Sequence, residues 1–171
     1  NFSFDDKFNL LGITFPDGIS ESNEYNSNGN LVKKIKRSGD AITLEYNIRG
    51  EVSKICYPDN TYISYTYDNS GNIRTATNID GTISIDYNRA NQPIAITYPD
   101  SSWFKYTYND IGLLSERIES NGFITDYGYD NNGNLISVSN NAIGTFVKYQ
   151  YDSEGKIIQK DLRNGGYSTY S

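Results

Sequence analysis

An aromatic residue followed by Asp or Asn returns along the whole chain. The pairs are Phe4-Asp5, Tyr25-Asn26, Tyr46-Asn47, Tyr67-Asp68, Tyr87-Asn88, Tyr108-Asn109, Tyr129-Asp130 and Tyr151-Asp152, spaced by 21, 21, 21, 20, 21, 21 and 22 residues. A fixed period of this length means one supersecondary unit used again and again, with neighbouring units sharing a core that none can build alone. Four residues after the aromatic comes Gly29, Gly50, Gly71, Gly112, Gly133 or Gly155, with Phe8 and Asn91 in the same slot elsewhere. Two further on comes an aliphatic residue: Leu10, Leu31, Val52, Ile73, Leu114, Leu135 or Ile157. A second turn signal follows, as Pro16-Asp17-Gly18, Pro58-Asp59-Asn60, Asp80-Gly81, Pro99-Asp100 and Asn121-Gly122.

Each part has a mechanical reading. The Asx side chain bonds backbone amides two residues on and starts a turn. Glycine four later suits a left-handed backbone that a Cβ disfavours, and Asn91 tolerates that region next best. Phe8 does not suit it, so the first unit is expected to be degenerate or differently turned. Two turns per repeat leave two strands of roughly six or seven residues, a common strand length. The unit predicted is a β-hairpin.

The strand leading into each Tyr-Asx pair alternates. Ile42, Leu44 and Tyr46 share a face, as do Ile63, Tyr65 and Tyr67, then Phe104, Tyr106 and Tyr108, then Val147, Tyr149 and Tyr151. The other face carries Thr43 and Glu45, Ser64 and Thr66, Lys105 and Thr107, Lys148 and Gln150. This is the period of two of a strand with one apolar face. Equivalent tyrosines in successive repeats lie about 9.6 Å apart, two strand spacings, so the return strand of each hairpin packs between them. The expectation is all-β: about eight hairpins in one twisted, curved antiparallel sheet, covering residues 1–171 as a single array cut at both ends. The strands around Phe2–Phe4 and Tyr167–Tyr170 are then bare edges, and self-association through them is expected.

Composition excludes several chemistries. The chain has 171 residues, long enough to bury roughly 70% of its unfolded surface around a core. It has 16 Tyr and no Met, a bias toward strands. Net charge is -6, which argues against a nucleic-acid partner. There is no His, so histidine metal sites and histidine general bases are absent. The only Cys, Cys56, allows neither an internal disulfide nor a multi-cysteine zinc site. No apolar run approaches the ~18 residues of a membrane helix, and no signal-peptide pattern is present.

The runs Tyr65-Thr66-Tyr67-Asp68-Asn69-Ser70-Gly71-Asn72-Ile73 and Tyr127-Gly128-Tyr129-Asp130-Asn131-Asn132-Gly133-Asn134-Leu135 resemble the YD repeat of RHS proteins, and the likeness runs in register through essentially the whole chain. The resemblance implies a segment of a large secreted or cell-surface bacterial protein, with teneurins as animal relatives. Family repeats spiral into a hollow β-shell, which in Tc toxin C components and wall-associated toxins encloses a C-terminal toxin. The family's self-cleaving core region contains an Asp-Pro motif. This sequence has none, so the resemblance carries over the scaffold and not the cleavage or the payload. The implied partners are the remainder of the shell and the enclosed domain; no catalytic residue, cofactor or metal is expected.

The residues that define the scaffold are Tyr25, Tyr46, Tyr67, Tyr87, Tyr108, Tyr129 and Tyr151 with the six turn glycines. The Asx slot alternates between Asp and Asn, which suits turn capping and not a carboxylate pair for acid–base work. Tyr62, Trp103 and Phe146 fall on the polar face; Tyr62 and Trp103 are the candidate glycan contacts for an alternative reading, an adhesive module binding glycans or a cell-surface protein. They lie two repeats apart, about 19 Å, too far for one sugar ring to stack on both. Lys33, Lys34, Lys36 and Arg37 form the one basic run, read as a solvated strand end. Cys56 lacks a base to activate it and is read as a packed strand residue.

Overall fold

A chain that reverses twice per repeat needs a turn at each margin, and the computed structural model, which describes residues 1–170, contains both. The fold is all-β: 17 strands in one open antiparallel sheet of hairpins, with no helix among the described residues. The chain divides into two compact units. The first, Asn1–Ser84, holds β1 (Phe2–Phe4), β2 (Leu10–Thr14), β3 (Ser20–Tyr25), β4 (Leu31–Ile35), β5 (Ala41–Tyr46), β6 (Val52–Cys56), β7 (Tyr62–Tyr67) and β8 (Ile73–Asn78). Next comes β9 (Gly81–Tyr87); the second unit begins within it, at Ile85. That unit goes on through β10 (Pro93–Thr97), β11 (Trp103–Tyr108), β12 (Leu114–Glu119), β13 (Ile124–Tyr129), β14 (Leu135–Asn140), β15 (Gly144–Tyr151), β16 (Ile157–Leu162) and β17 (Tyr167–Thr169). The ladders run between sequence neighbours, from β1–β2 to β8–β9 and from β10–β11 to β16–β17.

Both margins close with the same backbone device. In the Tyr-Asx turn, Gly29 N–H donates to the Asn26 carbonyl at 2.9 Å, and Asn26 N–H to the Asn30 carbonyl at 2.9 Å. In the opposite turn, Gly18 N–H donates to Phe15 at 3.0 Å, and Phe15 N–H to Ile19 at 2.9 Å. Each is a three-residue hairpin loop ending on a left-handed residue. That residue is glycine at most turns, with Asn91 at φ 60°, Asn60 at 65° and Ser101 at 68° standing in. Phe8 corrects the expectation for the first unit. It adopts φ 63° and closes the same turn, its N–H on the Asp5 carbonyl at 3.0 Å, because Asp5 Oδ1 holds the Lys7 and Asn9 amides at 2.9 and 2.8 Å.

The two irregular spacings have local causes. Asn78 pairs directly with Gly81, so the β8–β9 loop is a residue shorter than its counterparts and the repeat contracts to 20. In β15 the register against β14 shifts between Val138 and Ser139, which makes Phe146 an extra residue and stretches that repeat to 22.

Every Tyr-Asx hairpin with a described ladder is bulged at its aromatic. Glu24 pairs with Lys33 but Tyr25 with Leu31, leaving Val32 as the extra residue. The same shift falls at Tyr46, Tyr67, Tyr108, Tyr129 and Tyr151. A bulge strengthens local twist and re-aims side chains. It explains why the bulge residues Leu11 and Ile136 are exposed although they neighbour the half-buried Leu10 and Leu135.

The predicted facing is present. Ile42, Leu44 and Tyr46 are half-buried while Thr43 and Glu45 are exposed, and β11 repeats the pattern with Phe104, Tyr106 and Tyr108 against Lys105 and Thr107. No closed core accompanies it. No hydrophobic residue among those described is buried; only Thr125 (5% exposed) and Asn140 (9%) are. Accessible surface is 11462 Å², against roughly 8,500 Å² expected for a compact 19.3 kDa protein. The reason is architectural: one sheet with no second layer leaves its apolar face half in water.

Candidate functional site

The tyrosines that set the period are joined to the preceding repeat through their hydroxyls. Tyr25 Oη donates to the Leu10 carbonyl at 3.1 Å, Tyr46 to Leu31 at 2.8 Å and Tyr67 to Val52 at 2.6 Å. Tyr108 donates to Pro93 at 2.8 Å, Tyr129 to Leu114 at 2.9 Å and Tyr151 to Leu135 at 2.8 Å. Each acceptor is the first residue of the preceding return strand. Tyr87 also makes an interaction of its own. Burial pushes the phenols of Tyr67, Tyr108, Tyr129 and Tyr151 above their ordinary value, so they remain protonated donors at neutral pH. Sequence reading placed these side chains on the apolar face and missed the hydroxyl. A signal was available: the slot is Tyr in the seven later repeats, and Phe only at Phe4, ahead of the first return strand.

The next position caps the turn. Asn26 Oδ1 accepts the Asn28 and Asn30 amides, both at 3.0 Å, and the same pair of bonds recurs at Asp68 and Asp130. In five of the eight turns the residue four positions on also bonds the cap's side chain. After three of the Asp caps it is Asn and donates: Asn9 to Asp5 (2.8 Å), Asn72 to Asp68 (3.0 Å), Asn134 to Asp130 (3.0 Å). At two Asn caps the cap donates instead, Asn47 to Glu51 at 2.6 Å and Asn88 to Gln92 at 3.0 Å, whereas Asn26, Asn109 and Asp152, followed by Asn30, Leu113 and Lys156, hold backbone amides alone. The side-chain bond from the paired Asn holds the Asp5, Asp68 and Asp130 carboxyls below the usual range. The spacing was visible in the sequence; the donor–acceptor rule needed the pairing.

These caps also touch along the margin. Arg49 reaches the next turn and donates to the Asp68 and Asn69 carbonyls at 2.6 and 3.2 Å, and Gln92 Nε2 donates to the Gly112 carbonyl at 2.7 Å. Gly71 therefore has a second reason to lack a Cβ. One built there would meet Glu51 Oε1 at 3.2 Å, whereas one at Gly112 would sit at ordinary contact distance from Gln92 Nε2, 3.5 Å, and one at Gly29 would meet nothing within 4 Å.

Tyr62 and Trp103 stand on the polar face, each with an ammonium over its ring. Lys54 Nζ lies 5.0 Å from the Tyr62 centroid, and Lys105 Nζ 4.7 Å from that of Trp103. A sugar stacking on those ring faces would have to displace the lysines. Phe146 is the half-buried extra residue of β15. Within the basic run, Lys33 pairs with Glu24 at 3.1 Å, and Arg37 pairs with Asp17 and lies over the Phe15 ring at 4.6 Å. Cys56 is a free, half-buried thiol in register with Thr43 and Tyr62. No group of His, Cys, Asp and Glu able to hold a metal ion occurs among the described residues.

One feature of the apolar face had no sequence signal. Tyr106, Arg117, Thr125 and Asn140 pair in succession across β11 to β14, a polar row among the aromatics. Arg117 lies 5.5 Å over the Phe104 ring and bonds Glu119 at 2.8 Å.

An array of bulged hairpins, stitched repeat to repeat and open on its apolar face, defines a wall-forming repeat protein. The teneurin YD-shell family model matches residues 24–170, and the chain belongs to that family. Double-stranded DNA deaminase toxin A of Burkholderia cenocepacia (strain H111) is 37% identical over 62 residues, 36% of this chain and 4% of that protein. Among solved structures, TcdB2-TccC3 without its hypervariable C-terminal region matches 95% of this chain with a TM-score of 0.75 at 17% identity, over 10% of its own length. The Tc holotoxin pore of Photorhabdus luminescens matches 99% with a TM-score of 0.53 at 13% identity, over 14% of its length. At these identities the solved structures show a shared fold. The chain spans only a small part of each relative.

Proposed function

We propose that this chain is a non-catalytic wall segment of a large secreted or cell-surface RHS/YD-repeat protein, whose shell encloses or presents a C-terminal toxin domain. The observation that carries the reading is the half-buried apolar face. A single sheet with no fully buried hydrophobic residue is one side of a structure whose interior faces something else. The matched relatives support it, since two of them are toxins or toxin complexes by name. The Tyr–carbonyl stitches fit a wall, because they tie each repeat to the one before it.

The test is limited proteolysis of the full-length protein carrying this segment, before and after opening the shell with mild denaturant. The region C-terminal to the repeats should resist cleavage while the shell is closed and be lost once it opens. Equal cleavage rates in the two states would overturn the enclosing role. Recovery of the protein only inside the producing cells, under conditions that induce export, would overturn the secreted or surface location.

A further inference from the structure

Three of the chain's four prolines sit between an aromatic residue and an aspartate: Phe15-Pro16-Asp17, Tyr57-Pro58-Asp59 and Tyr98-Pro99-Asp100. All three form hairpin loops on the margin opposite the Tyr-Asx turns, with proline fixing φ at the turn's first central position. In each loop one carboxylate oxygen is consumed locally. Asp17 Oδ1 accepts the Ile19 amide at 3.2 Å, Asp59 Oδ1 the Thr61 amide at 3.0 Å, and Asp100 Oδ1 the Ser102 amide at 2.9 Å.

The loops differ in the use of the other oxygen. Asp17 Oδ2 accepts a charge-assisted bond from Arg37, which comes from the following loop and lays its guanidinium over the Phe15 ring at 4.6 Å. This contact combines a carboxylate bond with ring stacking, a combination suited to arginine and poorly reproduced by lysine. The position matching Arg37 is Ile79 after the second such loop and Ser120 after the third. No described residue donates to Asp59 Oδ2 or Asp100 Oδ2. The turn that follows the second loop is also a residue shorter, and Asp80 adds further negative charge there.

We propose that the Tyr57–Asp59 and Tyr98–Asp100 loops are arginine-binding sites, each built to take one guanidinium from a polypeptide partner as the Phe15–Asp17 loop takes Arg37. The inference is independent of the shell reading. It rests on the internal complex, which shows the same aromatic-Pro-Asp frame holding its ligand. A single exposed contact of this kind is weak, so the partner is a chain segment that contributes further contacts beside the arginine.

The test is an NMR titration of the chain with N-acetyl-arginine amide and, separately, with N-acetyl-lysine amide. The Thr61 and Ser102 amides report on the two carboxylates, and the Ile19 amide on the loop already holding Arg37. The arginine probe should shift Thr61 and Ser102 saturably in the millimolar range, leave Ile19 unmoved, and act several-fold more strongly than the lysine probe. Asp59→Asn should abolish the Thr61 response alone. Ser120→Arg should silence Ser102 by supplying the guanidinium from within, and Arg37→Ala should make Ile19 responsive. Non-saturating shifts of equal size for both probes would overturn the proposal, as would a Thr61 response that survives Asp59→Asn.

Discussion

The two margins of the hairpins close with the same backbone turn and are held in different ways. At the Tyr-Asx margin each turn carries an Asx cap, most add a cap partner, and at least six have a tyrosine bonded to the previous repeat, as at Asp68, Asn72 and Tyr67. At the opposite margin the loop is held mainly by its own Asx residue, and neighbouring loops touch only in places, as where Asn141 reaches the Gly122 carbonyl at 2.8 Å. A Cβ at Gly18, Gly39 or Gly122 would meet nothing within 4 Å. Both departures from the 21-residue period arise at the looser margin, through the Asn78–Gly81 turn and the Phe146 bulge. One margin keeps the repeat in register, and the other absorbs change in length.

The sharpest way to break this contrast is to remove a stitching tyrosine. Truncating a fully buried large aromatic costs about 3–5 kcal/mol, and Tyr67 is half-buried, so Tyr67→Ala should cost about 2–3 kcal/mol. Tyr57→Ala, at the looser margin, should cost about 1 kcal/mol, and Thr66→Ala, on the exposed face, under about 0.5 kcal/mol. Urea melts of the three variants check the order. Equal losses for Tyr67 and Tyr57 would erase the distinction between the margins.

The glycines sharpen it next. Gly71 (φ 87°) and Gly39 (φ 89°) share a left-handed backbone, which costs another residue about 1–2 kcal/mol. Gly39→Ala should show that cost alone. Gly71→Ala should exceed it by about 0.5 kcal/mol, because its new methyl presses on Glu51 Oε1. Thermal melts giving the two variants the same loss would mean that the neighbouring cap yields freely.

How far the sequence could be read follows the same division. The Tyr-Asx margin was legible because its turn chemistry is spelled out by neighbours in sequence: Asx, glycine three positions later, and an aliphatic residue two beyond that. The opposite margin was partly legible. Pro-Asp-Gly declared itself, but Ser101 at φ 68° and the Ser38-Gly39 turn did not. The bulges were hidden, since alternation along one strand says nothing of a register shift against its partner. The hydroxyl acceptors were hidden for the same reason, lying 15 or 16 residues away on a strand whose pairing had to be known first. The open apolar face was not settled by chain length, which bounds burial only for a chain that closes on itself.

A finer probe of the stitch keeps the ring and removes only the hydroxyl. Tyr67→Phe leaves the Val52 carbonyl without its donor and should cost about 1 kcal/mol. The wild-type bond also sets an alkaline limit. The folded phenol titrates above its unfolded value, so its contribution is fully present below about pH 10 and is lost as pH rises through the folded value. The gap between wild type and Tyr67→Phe should therefore close at alkaline pH. A gap that stays constant across that window would assign the loss to packing and not to the hydroxyl.

The smallest effect lies in the cap pairs, and it tests whether the turns follow a donor–acceptor rule or merely tolerate polar residues. Asp68 with Asn72 and Asn47 with Glu51 are two of the pairings present. Converting one into the other by halves should fail. Asn72→Glu alone sets two carboxylates against each other, and Asp68→Asn alone removes the charged acceptor. The double variant recreates the Asn47–Glu51 arrangement and should recover most of what either single change loses. A double-mutant cycle isolates that coupling, since the two residues share one bond. The pH dependence fixes its origin. Asp68 titrates below its unfolded value, so its contribution is present above about pH 4 and is lost as pH falls through the folded value. Coupling measured at neutral pH should accordingly shrink in acid. If the double variant is no more stable than the sum of the singles predicts, the alternation of Asp and Asn along the array carries no pairing rule, and each cap acts only on its own backbone.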